Sequence, residues 1–144
     1  MRRAGVAAAL VAATLLLGGC SGATVSATSG PTAAAVPATG ASLPPTDFAA
    51  AAKLPNTIML DVRTPSEFAS GHITGAVNLD IQSADFAQGA ATLDPTKNYA
   101  IYCHSGNRSK TAMTAMGQAG FTHLFDLAGG INAWQSSGGQ VVTN

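Results

Sequence analysis

Two short apolar runs, residues 57–62 (TIMLDV) and 98–103 (NYAIYC), are each followed by a segment with the signals of a helix. Nearly continuous apolar runs are typical of strands that are covered on both faces. After the first run, residues 64–67 (TPSE) form a capping box with proline at the first helical position. Strands that alternate with helices predict an α/β fold, a parallel sheet with helices on both faces.

Similar signals predict the remaining elements of the chain. Apolar runs bounded by turn residues predict two more strands, and helical spacing predicts that Met113 and Met116 are core residues. The predicted strands are residues 57–62, 76–80, 98–103 and 122–127, and the predicted helices are residues 46–54, 64–71, 83–93, 108–120 and 131–138. Helices and strands therefore alternate from residue 46 to residue 138.

The N-terminal segment has the pattern of a secretory signal. Arg2 and Arg3 precede residues 4–17, which carry no charge and are rich in Ala, Val and Leu. This run is too short to span a bilayer comfortably as a mature helix. It ends in LGGC at residues 17–20, which resembles the lipobox of bacterial lipoproteins. The resemblance implies cleavage before Cys20 and a lipid on its sulfur; an ordinary secretory signal is the alternative.

We therefore expect residues 1–19 to be a signal peptide and residues 20–43 to be a lipidated Cys20 with a flexible linker. The linker carries no charge and no aromatic residue, so it cannot bury enough apolar area to offset the cost of ordering. The folded domain is predicted at residues 44–144, which is enough for one core. The protein is expected outside the cytoplasm, anchored to the cell membrane by the acyl chains on Cys20.

Charge and cysteine content exclude several classes of function. Without Arg2 and Arg3 the chain has five Lys or Arg against seven Asp or Glu, and no basic stripe that would indicate a nucleic-acid partner. Its three histidines are scattered and there is no Cys-x-x-Cys pair, so we expect neither a metal site nor a cofactor. If Cys20 is lipidated, Cys103 has no cysteine partner.

Cys103 lies where chemistry is expected in such a fold. Ligands of open α/β sheets bind beyond the carboxyl ends of the strands, and Cys103 ends a predicted central strand. The next four residues (HSGN) suit a cradle of inward-pointing N–H groups, and the following helix adds its N-terminus. Thiolates near helix N-termini and cations are stabilised. We favour Cys103 as a nucleophile over the alternative, a small buried apolar residue.

Three segments, LDVRTPSEFASGHITGAVNLD at 60–80, YCHSGNRS at 102–109 and LAGGINAW at 127–134, resemble a single rhodanese domain. The resemblance covers about residues 48–141. It implies a five-stranded parallel sheet. It also implies a cysteine that takes a sulfane sulfur from a donor, holds it as a persulfide and passes it to a thiophilic acceptor.

The resemblance also implies roles for individual residues. Cys103 is the expected catalytic nucleophile, and Arg108 is expected to bind an anionic donor such as thiosulfate through its fork of N–H groups. Position and spacing, rather than the resemblance, suggest that Asp61 and Arg63 support the site. Both end the first predicted strand at the same edge of the sheet as Cys103, so Asp61 is expected to help hold the cysteine loop. Arg63 lies four residues before Glu67 and is expected to pair with it. The expected substrate-binding residues are His104, Ser105, Gly106, Asn107, Arg108 and Ser109.

Three functions remain open on these residues. The first is a sulfurtransferase with a small anionic sulfur donor and a thiol or cyanide-like acceptor, which includes protein thiols. The second is a noncatalytic sulfane-sulfur carrier or a module that binds a redox partner. The third is a phosphatase or arsenate reductase, which the four residues between Cys103 and Arg108 disfavour because related phosphatases have one more.

Overall fold

The computed structural model describes residues 25–143, which form a five-stranded parallel sheet with helices on both faces. The strands are β1 (Ala41–Leu43), β2 (Thr57–Asp61), β3 (Val77–Asn78), β4 (Asn98–Tyr102) and β5 (Leu124–Leu127). The helices are α1 (Pro45–Ala52), α2 (Pro65–Ser70), α3 (Phe86–Ala91), α4 (Asn107–Gln118) and α5 (Gly130–Ser136). The predicted α/β fold with a five-stranded parallel sheet is confirmed.

The second apolar run forms the central strand β4. The strand order is β1-β5-β4-β2-β3, and β4 is buried at every position. Its pairing with β2 runs from Asn98 opposite Thr57 to Tyr102 opposite Asp61. The carboxyl ends of β2, β4 and β5 therefore meet at one edge of the sheet, and Cys103 follows β4 directly at that edge.

Two apolar cores, one on each face, hold the helices to the sheet. Helices α1 and α5 cover one face, where Phe48 and Trp134 are fully buried. Helices α3 and α4 cover the other face, where Phe86 and Met116 are buried and Met113 is partly buried. Each fully buried side chain of this size contributes about 1.5–3 kcal/mol through the hydrophobic effect. The prediction of Met113 and Met116 as core residues is confirmed.

Helix α2 begins at the predicted capping box. The Thr64 side chain accepts a hydrogen bond from Glu67 N at 3.3 Å, and the Glu67 carboxylate accepts one from Thr64 N at 3.1 Å. This reciprocal pair satisfies two N–H groups that a helix N-terminus otherwise leaves unbonded. It also holds Glu67 at the edge of the sheet where Cys103 lies.

The sheet extends upstream of residue 44, where the sequence predicts the boundary between linker and domain. Strand β1 lies within the predicted linker and pairs with β5, which makes it the fifth strand of the sheet. Upstream of it, Val25 is buried against the α1 core, and Lys53 Nζ donates to Ser26 O at 3.0 Å. A strand of three residues is too short to show an alternating pattern, and its place in the sheet depends on the neighbouring strand.

The predicted signal peptide and the lipidation of Cys20 lie outside the described residues. Between residues 25 and 143, no helix is both long and apolar enough to cross a membrane.

Candidate active site

The sulfur of Cys103 lies inside the turn that joins β4 to α4. Only 1% of the Cys103 surface is exposed. Gly106 N donates a hydrogen bond to Cys103 Sγ at 3.0 Å, and Ser109 Oγ lies 3.7 Å from the same sulfur. Gly106 precedes the first residue of α4 with φ +97°, a left-handed conformation that glycine adopts without strain. Of the several inward-pointing N–H groups that the sequence predicts, the Gly106 amide is the one that donates to the sulfur among residues 25–143.

The N-terminus of α5 supports the cysteine loop from the other side. Ile131 N donates to Cys103 O at 2.9 Å, and Asn132 N donates to His104 O at 3.3 Å. Gly130 makes this approach possible, because a Cβ atom there would lie 2.5 Å from both of those carbonyl oxygens. The turn predicted at residues 128–130 thus brings the N-terminus of α5 against the backbone of the nucleophile.

The other predicted loop residues lie on two sides of the sulfur. His104, Ser105 and Asn107 are exposed to solvent, where they can contact a substrate. Ser109 is fully buried beneath the sulfur instead, so it contacts Cys103 rather than the solvent-facing mouth.

Arg108 is held by Glu67 in a two-pronged ion pair. Arg108 Nη1 donates to Glu67 Oε2 at 2.8 Å, and Nη2 donates to Oε1 at 2.7 Å. Gln82 Oε1 accepts a further bond from Nη1 at 3.3 Å. The hydrogen bond from Arg108 chiefly lowers the pKa of Glu67 to about 2, and the same bond raises the pKa of Arg108. The expected pairing of Glu67 with Arg63 is therefore wrong.

This ion pair predicts an acid-sensitive contribution to stability. The pKa of Glu67 is about 2 in the folded chain against an ordinary 4.5, so the contribution is complete above pH 4.5 and lost as the pH falls toward 2. Both side chains are partly exposed, which limits it to about 1 kcal/mol. Glu67→Gln keeps a side-chain oxygen for the Thr64 cap, so urea unfolding should show destabilisation near neutral pH that vanishes in acid. An equal loss at both pH values would contradict the ion-pair origin.

Asp61 and Arg63 form a buried pair at the end of β2. Arg63 Nη2 donates to Asp61 Oδ2 at 2.6 Å, and Arg63 Nε lies 3.0 Å from both carboxylate oxygens. Arg63 Nη2 also donates to Gly71 O at 2.8 Å, and its guanidinium lies over the Tyr102 ring. Asp61 thus ties β2 to the α2–β3 connection. It does not hold the cysteine loop as expected, since its side-chain hydrogen bonds among residues 25–143 go to Arg63.

Asp126 is a second acidic residue, besides Glu67, that contacts the segment after Cys103. It lies on β5 with no exposed surface, and Ser109 Oγ donates to its Oδ2 at 2.6 Å. Sequence reasoning missed this residue, although the signal was present. Like Asp61, it is an acidic residue near the carboxyl end of an apolar run, here LFDL at residues 124–127.

A groove of about 250 Å³ lies beside the loop, lined by Arg63, Glu67, Ser70, Gly71, His104, Ile131, Asn132, Gln135 and Val141. A larger groove of about 560 Å³ lies between the start of α2 and α3, and no residue of the cysteine loop lines it. The smaller one is therefore the better match to the chemistry. Among the described residues, no three His, Cys, Asp or Glu side chains cluster in a way that could hold a metal ion.

Comparison with known proteins agrees with this geometry. The family model described as "Rhodanese-like domain" matches residues 44–137. The chain belongs to the rhodanese-like family. A thiosulfate sulfurtransferase GlpE of Pseudomonas entomophila is 36% identical over 90 residues, which cover 62% of this chain and 80% of that protein. The chloroplastic thiosulfate sulfurtransferase 16 of Arabidopsis thaliana is 37% identical over 89 residues, which cover 55% of this chain and 74% of that protein.

A solved structure is similar as well. The crystal structure of a rhodanese-related protein from Thermoplasma volcanium matches with a TM-score of 0.56 and 34% sequence identity. The match covers 62% of this chain and 86% of that one. The rhodanese domain predicted from the three sequence motifs is confirmed as a family assignment.

Proposed function

We propose that this rhodanese is a sulfurtransferase that carries sulfane sulfur on Cys103. The observation that supports it most directly is the Gly106 amide, 3.0 Å from Cys103 Sγ at the carboxyl end of β4. An N–H group aimed at sulfur stabilises negative charge there, both on the resting thiolate and on a persulfide. The relatives named as thiosulfate sulfurtransferases support the same chemistry.

The reaction proceeds in two displacements. In the first, the Cys103 thiolate attacks the sulfane sulfur of thiosulfate. The donor S–S bond breaks, and sulfite leaves with its electron pair. In the second, a cyanide or thiolate acceptor attacks the outer sulfur of the persulfide, and Cys103 leaves as the thiolate. Neither displacement needs a redox cofactor, because each bond that forms to sulfur replaces one that breaks.

Arg108 is the proposed binding group for an anionic donor. Its guanidinium is already paired with Glu67, so a donor anion competes with that carboxylate for the same N–H groups. Arg108→Ala should lower kcat/KM for thiosulfate about ten- to a hundredfold, because a hydrogen bond to a charged group contributes about 1.5–3 kcal/mol. The same substitution should lower kcat/KM for a neutral sulfane donor by a smaller factor.

Glu67→Gln is the matched control for that experiment. It removes the competing charge while keeping the length of the side chain, so the KM for thiosulfate should fall. Equal losses for charged and neutral donors in Arg108→Ala would instead assign Arg108 a role in folding the loop.

Turnover separates an enzyme from a carrier. Purified protein should convert thiosulfate and cyanide to thiocyanate over many cycles if it is a sulfurtransferase. The Glu67–Arg108 pair and the near-complete burial of Cys103 favour the second candidate, a sulfur carrier that accepts sulfur from a partner. A carrier would release one equivalent of thiocyanate per preloaded chain and then stop.

We also propose that the protein is lipidated on Cys20 and works outside the cytoplasm at the membrane. The LGGC segment supports this proposal. The packing of Val25 then limits the tether, since five residue steps from Cys20 span at most about 18 Å. In a bacterial host the wild type should fractionate with membranes and begin at Cys20, whereas Cys20→Ala should remain unprocessed or soluble. Soluble wild type with another N-terminus would contradict the proposal.

A further inference from the structure

Asp126 is a buried carboxylate for which the sulfur-transfer mechanism above has no use. It has no exposed surface, and one of its oxygens, Oδ1, is buried without a hydrogen-bond partner among residues 25–143. Keeping an ionised carboxylate in such a place is costly unless a cation or several donors compensate it. Ser109 Oγ is its one side-chain donor in the described part of the chain.

Among residues 25–143, no cation compensates Asp126 from the elements packed around it. From α4, Arg108 pairs with Glu67 and Lys110 is exposed. From β4, Ile101 lies opposite Asp126 and the Tyr99 hydroxyl donates to Asp94 O. The residue opposite it on β1 is Ser42.

Cys103 is the titratable group that is connected to Asp126, through one hydroxyl. Ser109 Oγ lies 2.6 Å from Asp126 Oδ2 and 3.7 Å from Cys103 Sγ. Ser109 Oγ also lies 3.1 Å from Gly106 O, but its shorter distance to Asp126 Oδ2 favours the carboxylate as the acceptor of the hydroxyl proton, because charge-assisted O–H···O bonds are the shorter ones. A lone pair of Oγ is then free to accept the proton of the Cys103 thiol.

We propose that Asp126 is a positioning residue that takes up the Cys103 proton through Ser109. The S–H bond of Cys103 breaks as its proton bonds to Ser109 Oγ, while the original Ser109 proton bonds to Asp126 Oδ2. The products are a Cys103 thiolate and a neutral Asp126 carboxylic acid. One negative charge moves from a carboxylate with few donors to a sulfur that faces the Gly106 amide and, after transfer, the Ser109 hydroxyl.

This inference uses the proposed function only to explain why a thiolate is needed, and it has a test that requires no sulfur transfer. The two groups share one proton, so the thiolate fraction should be constant over the pH range in which the pair holds that proton. The probe is iodoacetamide, a neutral alkylating reagent, with the full chain and peptide-level mass spectrometry of Cys103. A His104→Gln background removes the imidazole that neighbours Cys103 in the chain.

With Ser109 and Asp126 present, the rate of Cys103 alkylation should rise with pH in two steps, with a plateau between them below neutral pH. Asp126→Asn keeps the shape of the side chain but cannot take the proton. Its rate should rise in a single step, about tenfold per pH unit, and should be at least about tenfold slower near pH 5. Asp85→Asn, the same change on an exposed carboxylate, should keep the plateau.

Ser109→Ala is the second variant and decides the question if Asp126→Asn does not fold. It keeps the carboxylate but removes the proton path, so it should also lose the plateau. Faster alkylation of Asp126→Asn at every pH would mean that Asp126 only opposes the thiolate with a fixed charge, and would overturn the proposal. If every variant had the same pH profile as the wild type, whether two-step or single-step, Asp126 would have a purely structural role. That result would overturn the proposal too.

Discussion

Cys103→Ser should lose thiocyanate formation from thiosulfate and cyanide by more than about a thousandfold, because removal of a covalent nucleophile eliminates the route through the intermediate. A serine hydroxyl is not ionised near neutral pH and cannot hold a sulfane sulfur. The measurement is steady-state turnover with thiosulfate as donor and cyanide as acceptor.

The fold should survive this change, which makes the variant a clean test. Serine is slightly smaller than cysteine, and the Gly106 amide can donate to an oxygen as it does to Sγ at 3.0 Å. Circular dichroism and the urea midpoint should stay close to those of the wild type. Residual turnover within tenfold of the wild type would show that another group carries the sulfur.

Gly130→Ala should destabilise the domain by about 2–4 kcal/mol and reduce activity, because the new methyl group enters a close backbone contact. Its Cβ would lie 2.5 Å from the carbonyl oxygens of Cys103 and His104, and Gly130 has φ +60°. Neither oxygen belongs to a flexible side chain, so the loop or α5 must shift. Urea unfolding measures the first effect and kcat/KM for thiosulfate the second.

Gly138→Ala separates the clash from the backbone conformation. Gly138 also has a positive φ, +79°, but a Cβ there would meet nothing within 4 Å. It should cost only the strain of a left-handed alanine, about 1 kcal/mol, and leave activity unchanged. If the two variants were destabilised equally, α5 would not hold the cysteine loop through its close approach.

Most of the fold follows from local patterns in the sequence. The apolar runs of β2 and β4, the Thr64 capping box and the helical spacing of Met113 and Met116 each predict their element directly. Strand β1 cannot be predicted from the sequence, because its three residues carry too little pattern and the β5 edge determines its pairing. The segment after Val25 also carries too little pattern, so the sequence predicts a linker there.

The candidate site divides in the same way between local and distant contacts. The cysteine loop is one continuous segment, so its cradle and the helix behind it can be predicted from spacing. The partners of the loop's side chains cannot be predicted from spacing. Spacing by four residues favours an Arg63–Glu67 pair, but Arg63 turns inward to Asp61, and Glu67 is left for Arg108, 41 residues away. Asp126 reaches Ser109 only because β5 lies beside β4 in the sheet.

The persulfide on Cys103 is tested most directly by the intact mass of the freshly reduced protein. The thiolate is the form of cysteine that oxidises, so reduction must come first. After incubation with excess thiosulfate, the full chain should gain one sulfur atom at Cys103, and cyanide should remove that atom as thiocyanate. Cys103→Ser should gain none. If reduced wild type gains no cyanide-labile sulfur, the sulfurtransferase and the sulfur-carrier proposals are both contradicted.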